Sequence, residues 1–164
     1  MELTVLPDPI LTHTSRALTP AELRDGRYAG LITKMRETMK TNNGVGLAAN
    51  QVGEDIALFV IDEKLAEEYK APSVYANPEI SEYGKDIDTL EEGCLSIPGY
   101  WAPVRRAKKI MFKALDEHGD RIKFRARGML ARVLQHETDH LRGVTIRERS
   151  VKPATHQKKK TLRS

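Results

Sequence analysis

The sequence lacks the features that mark secreted and membrane proteins. It contains one cysteine, Cys94, which excludes an intramolecular disulfide and leaves a free thiol suited to a reducing compartment. No apolar run approaches the length of a membrane span, and the first residues, MELTVLPDPILTH, lack the basic and apolar regions of a signal peptide. We therefore expect a cytoplasmic protein that has no membrane partner.

Length and composition predict a single folded unit. A chain of 164 residues buries roughly 70% of the surface that its unfolded form would expose, which is enough for one real core. Hydrophobic residues make up 40% of the chain and charged residues 30%, and this balance excludes a mainly disordered protein.

The net charge of +4 is unevenly distributed along the chain. Residues 147–164 carry seven Lys or Arg and one Glu, whereas the 146 residues before them carry 20 basic and 22 acidic groups. The body of the chain therefore has no net positive charge of the kind that indicates nucleic-acid binding. The basic signal belongs to the C-terminal tail alone.

A first helix is predicted from the segment TPAELRDGRYAGLITKMRETMKTNNG. Thr19 is suited to the N-cap, Pro20 to the first helical position and Glu22 to the third, which together make a capping box. Apolar residues follow at helical spacing, and the helix is expected to end near Asn42 and Asn43, which tolerate left-handed backbone geometry.

The rest of the chain alternates between strand and helix patterns. Residues 56–62 are typical of a buried strand, and 110–115 with 121–126 are typical of the two arms of a half-buried hairpin. The region 71–103 is punctuated by Pro and Gly, which predicts short strands and loops. From Gly128 the pattern becomes helical until Gly143.

The predicted last helix carries the segment QHETDHLRG, in which two histidines stand four positions apart. Residues at this spacing lie on the same face of a helix, so His136 and His140 could bind one metal ion. Glu137 lies beside them and could reach a water at the metal without being a ligand. The alternative is a pair of core histidines that are satisfied by hydrogen bonds.

A catalytic metal normally takes three protein ligands, so a third is needed. The extended motif HExxHxxGxxH fails because position 146 is Ile, and no acidic residue follows Glu148. Cys94, in EEGCLSIPG, is the remaining soft ligand. A lone buried and inert cysteine is the alternative for this residue.

A third segment, NNGVGLAANQVG, places Gly44 and Gly46 around Val45 and is followed by Gln51. Small residues allow the backbone to approach another group closely. The segment is not a phosphate-binding loop because no Lys-Ser or Lys-Thr pair follows the glycines. Taken alone, it indicates a turn more strongly than a site.

Together the three segments resemble peptide deformylases, a family marked by GxGxAAxQ, EGCxS and QHExDH in this order. The matching residues here are Gly44 to Gln51, Glu92 to Ser96 and Gln135 to His140. The resemblance covers about residues 5–147 and departs at Thr138, where the family usually has an apolar residue. It implies an α+β fold, with small antiparallel sheets packed around a central helix that carries HExxH. We expect a catalytic domain over residues 1–147 and a basic tail over 148–164.

The resemblance also implies an activity, which is hydrolytic removal of the formyl group from the N-terminal methionine of nascent polypeptides. It implies a metal held by Cys94, His136 and His140. Glu137 would carry the proton from water to the leaving amine. The side-chain amide of Gln51 and the backbone N–H of Leu95 would stabilise the oxyanion.

Substrate, metal and partner expectations follow from the same resemblance. Apolar Val45, Met129 and Val133, with Gly46, should line a slot for the methionine side chain, although they could also be plain core. The family's usual ion is Fe²⁺, and Zn²⁺, Ni²⁺ or Co²⁺ could occupy the purified protein. The basic tail could dock to the ribosome near the exit tunnel, or it could be a solvated end.

Two other functions fit part of the pattern. A general HExxH metallopeptidase would share the metal and the activated water, but it needs an extended cleft on both sides of the cut peptide. A structural metal module that holds RNA with its tail would need a closed site with four ligands. No further Cys or His lies in the three motifs, which disfavours the module.

Overall fold

The computed structural model describes residues 1–151 and the backbone of residues 161–163. Within these ranges the α-helices are α1 Pro20–Arg24, α2 Ala29–Thr41, α3 Glu63–Glu68, α4 Gly128–Leu141 and α5 Ile146–Arg149. The strands are β1 Gly46–Ala48, β2 Leu58–Ile61, β3 Val74–Tyr83, β4 Ile87–Cys94, β5 Ile97–Ala107, β6 Lys109–Leu115, β7 Arg121–Arg127 and β8 Thr161–Arg163. Short 3-10 helices cover Pro9–Thr12 and Ala49–Val52.

The strands form two sheets around helix α4. One sheet has the order β1-β2-β3-β6-β7 with antiparallel neighbours, and the other has the order β5-β4-β8. Helix α4 contacts strands of both sheets, and all twelve residues from Leu130 to Leu141 are buried. A helix buried on every side is a core helix. This arrangement confirms the predicted α+β class, in which small sheets surround the helix that carries HExxH.

An aromatic cluster fills the core between the five-stranded sheet and α4. Phe59, Tyr75 and Phe112 are fully buried, and Phe124 joins them from β7. Their ring centroids lie 5.1–6.4 Å apart in tilted and edge-on arrangements, which aromatic rings prefer over face-to-face stacking. The aromatic cluster packs against α4 and so fixes the position of the helix relative to the five-stranded sheet.

The predicted first helix is confirmed at its start and wrong in its length. Thr19 Oγ1 accepts a hydrogen bond from the backbone N–H of Glu22, and the Glu22 carboxylate accepts one from the N–H of Thr19, as expected for a capping box. However, α1 ends at Arg24, and α2 begins only at Ala29. Gly26 adopts a left-handed conformation with φ of 77°. Such a glycine ends a helix, and Asp25-Gly26 was the local signal for it.

The prediction of short strands and loops over 71–103 is wrong, because β3, β4 and β5 are 10, 8 and 11 residues long. Pro78 lies where the register between β3 and β6 shifts. The residue at such a shift makes no ladder hydrogen bond, so the missing backbone N–H of proline is tolerated there. Pro98 and Pro103 lie in β5, which is the edge of its sheet. The remaining elements, the strand within 56–62, the hairpin and the helix from Gly128, are confirmed.

The start of the C-terminal tail packs on the three-stranded sheet. Ser150 bridges to Val104, and the N–H of Val151 donates to the carbonyl of Pro103 at 2.9 Å. Further on, Thr161–Arg163 pairs in parallel with residues 91–93 of β4. The lysine run of residues 158–160 lies outside the described residues. No helix in the described part of the chain is long and apolar enough to cross a membrane.

We expect Gly143→Ala to destabilise the fold. Gly143 follows the end of α4 with φ of 73°, and an added Cβ would lie 2.6 Å from the carbonyl carbon of Thr12. A side chain in this conformation costs at least about 1 kcal/mol before any clash. Urea unfolding followed by circular dichroism measures the loss of unfolding free energy.

The matched control is Gly30→Ala, at the start of α2, where an added Cβ meets nothing within 4 Å. Its free energy of unfolding should stay unchanged or rise by up to about 1 kcal/mol, because Ala favours helix over Gly. Equal effects of the two substitutions would contradict this account of Gly143.

Candidate metal centre

Three buried ligand atoms converge where β4 ends against α4. The Nε2 atoms of His136 and His140 lie 3.1 Å apart, and Cys94 Sγ lies 3.3 Å from Nε2 of His140. All three ligand atoms lie within 4.8 Å of one another. The i, i+4 spacing sets the two imidazoles on one face of α4. The strand brings the thiol to that face from 46 residues away.

This donor set fits a divalent metal ion. Burial lowers the pKa of both imidazoles, but hydrogen bonds to Cys94 and Glu92 raise the pKa of His136 to about 10. Burial and the charge of His136 hold the pKa of His140 well below its usual value. Because the two Nε2 atoms face each other at 3.1 Å, at most one proton can lie between them. A cation that accepts one thiolate and two imidazole nitrogens would satisfy all three donors.

The carboxylate of Glu137 lies against β1. Glu137 is fully buried, and a Cβ added at Gly46 would overlap its Oε1, Cδ and Cγ atoms. The glycine therefore lets the β1 backbone approach the carboxylate closely. The close approach explains why position 46 is a glycine, whereas the sequence pattern alone indicated only a turn.

The side chain of Gln51 is held rigidly beside Cys94. Its Oε1 accepts a hydrogen bond from the N–H of Ala48 at 3.0 Å. Its Nε2 then points the other way, 3.1 Å from Oγ of Ser96 and 3.6 Å from Sγ of Cys94. Because both ends of the amide are fixed, its N–H groups are aimed at the region of the thiol.

The remaining predicted site residues lie close to this centre. Leu95 and Ser96 form the turn that follows Cys94, and the Leu95 side chain packs by Gly44. Val45, Met129 and Val133 belong to one hydrophobic cluster, in which Val133 is fully buried and the other two are partly buried. The structure therefore places Gly46 against Glu137, Gln51 by Cys94 and Leu95 directly after it, whereas Val45, Met129 and Val133 share one hydrophobic cluster.

Sequence reasoning missed the role of Glu92, which precedes the ligand Cys94 by two residues. Its carboxylate is fully buried and lies 3.2 Å from Nδ1 of His136. Arg106 donates to both of its oxygens, and Arg132 donates to Oε1 at 3.0 Å. A carboxylate on the second ring nitrogen fixes the orientation of a metal-binding histidine. EGCxS contained this glutamate, but nothing in the sequence identified its partners.

Ion pairs extend from Glu92 to the surface. Arg106 pairs with Asp139. The Asp139 carboxylate also accepts two hydrogen bonds from the guanidinium of Arg149. Burial alone would raise the pKa of Glu92, but the hydrogen bond from His136 and the charge of Arg106 hold that pKa well below its usual range. The carboxylate therefore stays ionised. Burial would lower the pKa of Arg106, but its pairs with Glu92 and Asp139 raise it.

Two amide side chains fix the position of α4. Gln135 Oε1 accepts from the N–H of Ala107, and its Nε2 donates to the carbonyl of the same residue at 2.9 Å. Asn50 Nδ2 donates to the carbonyl of His140 at 2.7 Å. These bonds hold α4 to β5 through Gln135 and to the short helix Ala49–Val52 through Asn50.

The chain is similar to known proteins over nearly its whole length. A family model described as polypeptide deformylase matches residues 1–156. A peptide deformylase of Dictyoglomus turgidum is 44% identical over 156 residues, which cover 94% of this chain and 95% of that protein. The crystal structure of peptide deformylase from Thermotoga maritima matches with a TM-score of 0.82 and 36% identity, over 92% of this chain and 97% of that chain.

A second solved structure is that of a peptide deformylase from Synechococcus elongatus in complex with actinonin. It matches with a TM-score of 0.83 and 38% identity and covers 92% of this chain and 80% of that chain. The matched range of the family model includes every residue of the metal centre described above.

We expect Glu92→Gln to weaken metal retention by about 10–100-fold, because the partner that orients His136 loses its charge. The substitution also leaves the buried guanidinium groups of Arg106 and Arg132 without the negative charge of Glu92. Losing this partner costs about 3–5 kcal/mol of unfolding free energy. Competition with a chelator measures metal affinity, and circular dichroism confirms that the variant is folded.

The control is Glu91→Gln, one residue away, since Glu91 is partly exposed and forms no ion pair among the described residues. It should retain metal like the unmodified protein. If folded Glu92→Gln binds metal as tightly as the control, Glu92 does not position His136.

Proposed function

Since the chain belongs to the peptide deformylase family, we propose that Cys94, His136 and His140 hold the metal ion with which it removes the N-terminal formyl group of nascent polypeptides. The observation that carries this proposal is the convergence of these three buried donors beside the Glu137 carboxylate. Such an ion supplies Lewis acidity, which makes water a nucleophile at neutral pH.

Glu137 is the proton carrier of the reaction. Its carboxylate accepts a proton as water attacks the formyl carbon, and it delivers that proton to the methionine nitrogen as the C–N bond breaks. The products are formate and a free amine. Full burial against Gly46 supports this role, because a carboxylate held in one place is already oriented for proton transfer.

Gln51 and Leu95 stabilise the negative charge that develops on the formyl oxygen. The donors proposed are the Gln51 side-chain amide and the Leu95 backbone N–H. The hydrogen bond from Ala48 to Oε1 of Gln51 supports this role, since it orients the amide before the reaction begins. Donors that need no reorganisation contribute most to such stabilisation, and losing one typically costs ~10²–10³ in rate.

The methionine side chain is proposed to occupy an apolar slot lined by Val45, Gly46, Met129 and Val133. Val45 and Met129 support this role because they are partly exposed and pack against the buried cluster that contains Val133, so they can contact both core and ligand. Fully buried Val133 forms the floor. An unbranched side chain suits such a slot.

Fe²⁺ is proposed as the ion, on the family resemblance, and Zn²⁺, Ni²⁺ or Co²⁺ suit the same ligands. The catalytic domain is assigned to residues 1–147 and the tail to residues 148–164. We place the reaction in the cytoplasm, where ribosomes make its substrate. The tail's excess of basic residues supports docking to ribosomal RNA near the tunnel exit.

Replacing Glu137 tests the proposed mechanism. We expect Glu137→Ala to keep its metal content and to release formate from a formyl-Met peptide at least ~10²-fold more slowly, because the proton carrier is lost. Glu137→Gln, which keeps the shape of the side chain, should be equally slow. The unmodified enzyme on the unformylated peptide is the control for internal cleavage. Near-normal turnover by either variant with full metal content would place the proton carrier elsewhere.

Removing the lysine run tests docking by the tail. Replacing Lys158, Lys159 and Lys160 with Gln keeps the strand β8 that pairs with β4 and removes three charges. We expect weaker ribosome binding and a salt dependence flatter by up to about 2 in log–log slope, because fewer counterions are released. Turnover of a short formyl-Met peptide should be unchanged. The control variant has the same three-charge change in the body, at exposed Lys34, Lys64 and Lys85. If it matches the tail variant, the lysine run does not dock to the ribosome.

A further inference from the structure

Six basic side chains lie on one face of the hairpin β6–β7. In β7 the outward positions alternate with core positions, so every second residue is exposed and basic. The opposite positions of β6 add two lysines. The set, called the basic face below, is Lys109, Lys113, Arg121, Lys123, Arg125 and Arg127. The net charge of the chain body does not reveal this face, because acidic residues elsewhere cancel it.

The charges of the basic face have no ion-pair partner among residues 1–151. None of the six forms an ion pair with any residue in 1–151, and only Arg127 has a ring partner, with its guanidinium 5.6 Å from the centre of the Tyr69 ring. On the neighbouring strand, Glu79 stands opposite Lys113 and Glu82 opposite Met111. These two acids leave an excess of positive charge along the strands, and the turn of the hairpin adds Asp116, Glu117 and Asp120 at one end only.

Like charges even face each other across the hairpin. Lys109 stands directly opposite Arg127, and Lys113 directly opposite Lys123. Like charges at opposed positions destabilise a sheet. An arrangement that costs stability and has no ion-pair partner within residues 1–151 points to an external partner.

Protection of a sheet edge explains only part of this pattern. Strand β7 is the edge of its sheet, and charged residues on edges prevent pairing with other chains. Strand β6 is internal, however, so Lys109 and Lys113 protect no edge.

We propose that the basic face binds the phosphate backbone of RNA. Alternate residues along a strand are about 6.8 Å apart, so the four cations of β7 form a row about 20 Å long that can meet successive phosphates. A depression of about 320 Å³ at one end is lined by Tyr83, Lys109 and Arg125 among others. Tyr83 is 56% exposed and offers a ring on which a base can stack.

The surface fits RNA better than an anionic membrane. Interfacial binding to lipid requires an apolar face that inserts below the headgroups. Among the large hydrophobic side chains that are exposed in the described residues, only Tyr83 borders the basic face. Met111, opposite Arg125, is only partly exposed, so this charged surface attracts phosphates but offers no broad apolar face to insert.

Binding at the basic face leaves the metal centre accessible. The opposite face of the same strands carries Phe112 and Phe124, which pack in the core beneath α4. The sheet therefore separates the cations from His136 and His140. This surface is distinct from the tail, and the proposal does not depend on the tail or on the catalytic roles assigned above.

The test is a double charge reversal, Lys123→Glu with Arg125→Glu, and its binding to a fluorescein-labelled single-stranded 20-nucleotide RNA. We expect at least a 10-fold weaker affinity by fluorescence anisotropy and a log–log salt slope smaller by about 1.4, which corresponds to two lost phosphate contacts. The melting temperature should not fall, because Lys123→Glu places a carboxylate opposite Lys113. Formate release from a short formyl-Met peptide should be unchanged.

The matched control is Lys34→Glu with Lys64→Glu, which makes the same change in net charge at exposed positions of α2 and α3. Both doubles are measured with the natural tail and with the three-lysine tail variant, so that tail docking and face binding succeed or fail separately. RNA affinity equal to that of the control double would overturn the proposal. A loss of binding to phosphatidylglycerol vesicles without a loss of RNA binding would also overturn it, in favour of a membrane.

Discussion

The buried carboxylate of Glu92 is the contact on which the geometry of the metal centre depends. It lies on β4, two residues before Cys94, and it touches His136 of α4 through the imidazole nitrogen that faces away from the ligand cluster. One side chain therefore connects the strand that supplies the thiol with the helix that supplies the imidazoles. Arg106 and Arg132 neutralise it inside the protein. Without these partners, a buried carboxylate would take up a proton.

The need to keep these charges buried explains much of the architecture. A buried ion pair stabilises only if its hydrogen bonds are satisfied, and here the arginines come from β5 and from α4 itself. Gln135 adds two bonds from α4 to the backbone of β5 at Ala107. The small sheet and the helix thus form one rigid support. The larger sheet contributes Gly46, whose missing side chain leaves the space that Glu137 fills.

Charge divides the molecule into two regions with different tasks. Around the candidate metal centre, opposite charges are paired and shielded from water, which holds His136 and the residues beside it in place. On the outer side of β6 and β7, charges of one sign are left exposed and unpaired within the described residues. The first arrangement stabilises internal geometry, whereas the second repels itself and is suited to a polyanion. The tail adds further positive charge at the end of the chain.

Local patterns in the sequence determined the local features of this protein. The spacing of His136 and His140 fixes both on one helix face, the capping box starts α1, and the alternation in 121–127 makes a strand with one basic face. The three motifs also identified the family, and they contain the three residues of the Cys94, His136 and His140 cluster that could hold a metal ion. Asp25-Gly26 carried a local signal as well, so the break between α1 and α2 could have been predicted from the sequence.

Only the tertiary structure decided which distant residues meet. No periodicity links Glu92 with Arg106 and Arg132, and the lengths of β3 to β5 depend on bulges and edge positions that hide the alternation expected of strands. The charge of β7 became a surface only when β6 placed Lys109 and Lys113 beside it. Sequence patterns encode geometry over a few residues, whereas contacts across the chain arise from packing, which alone brings such groups within bonding distance.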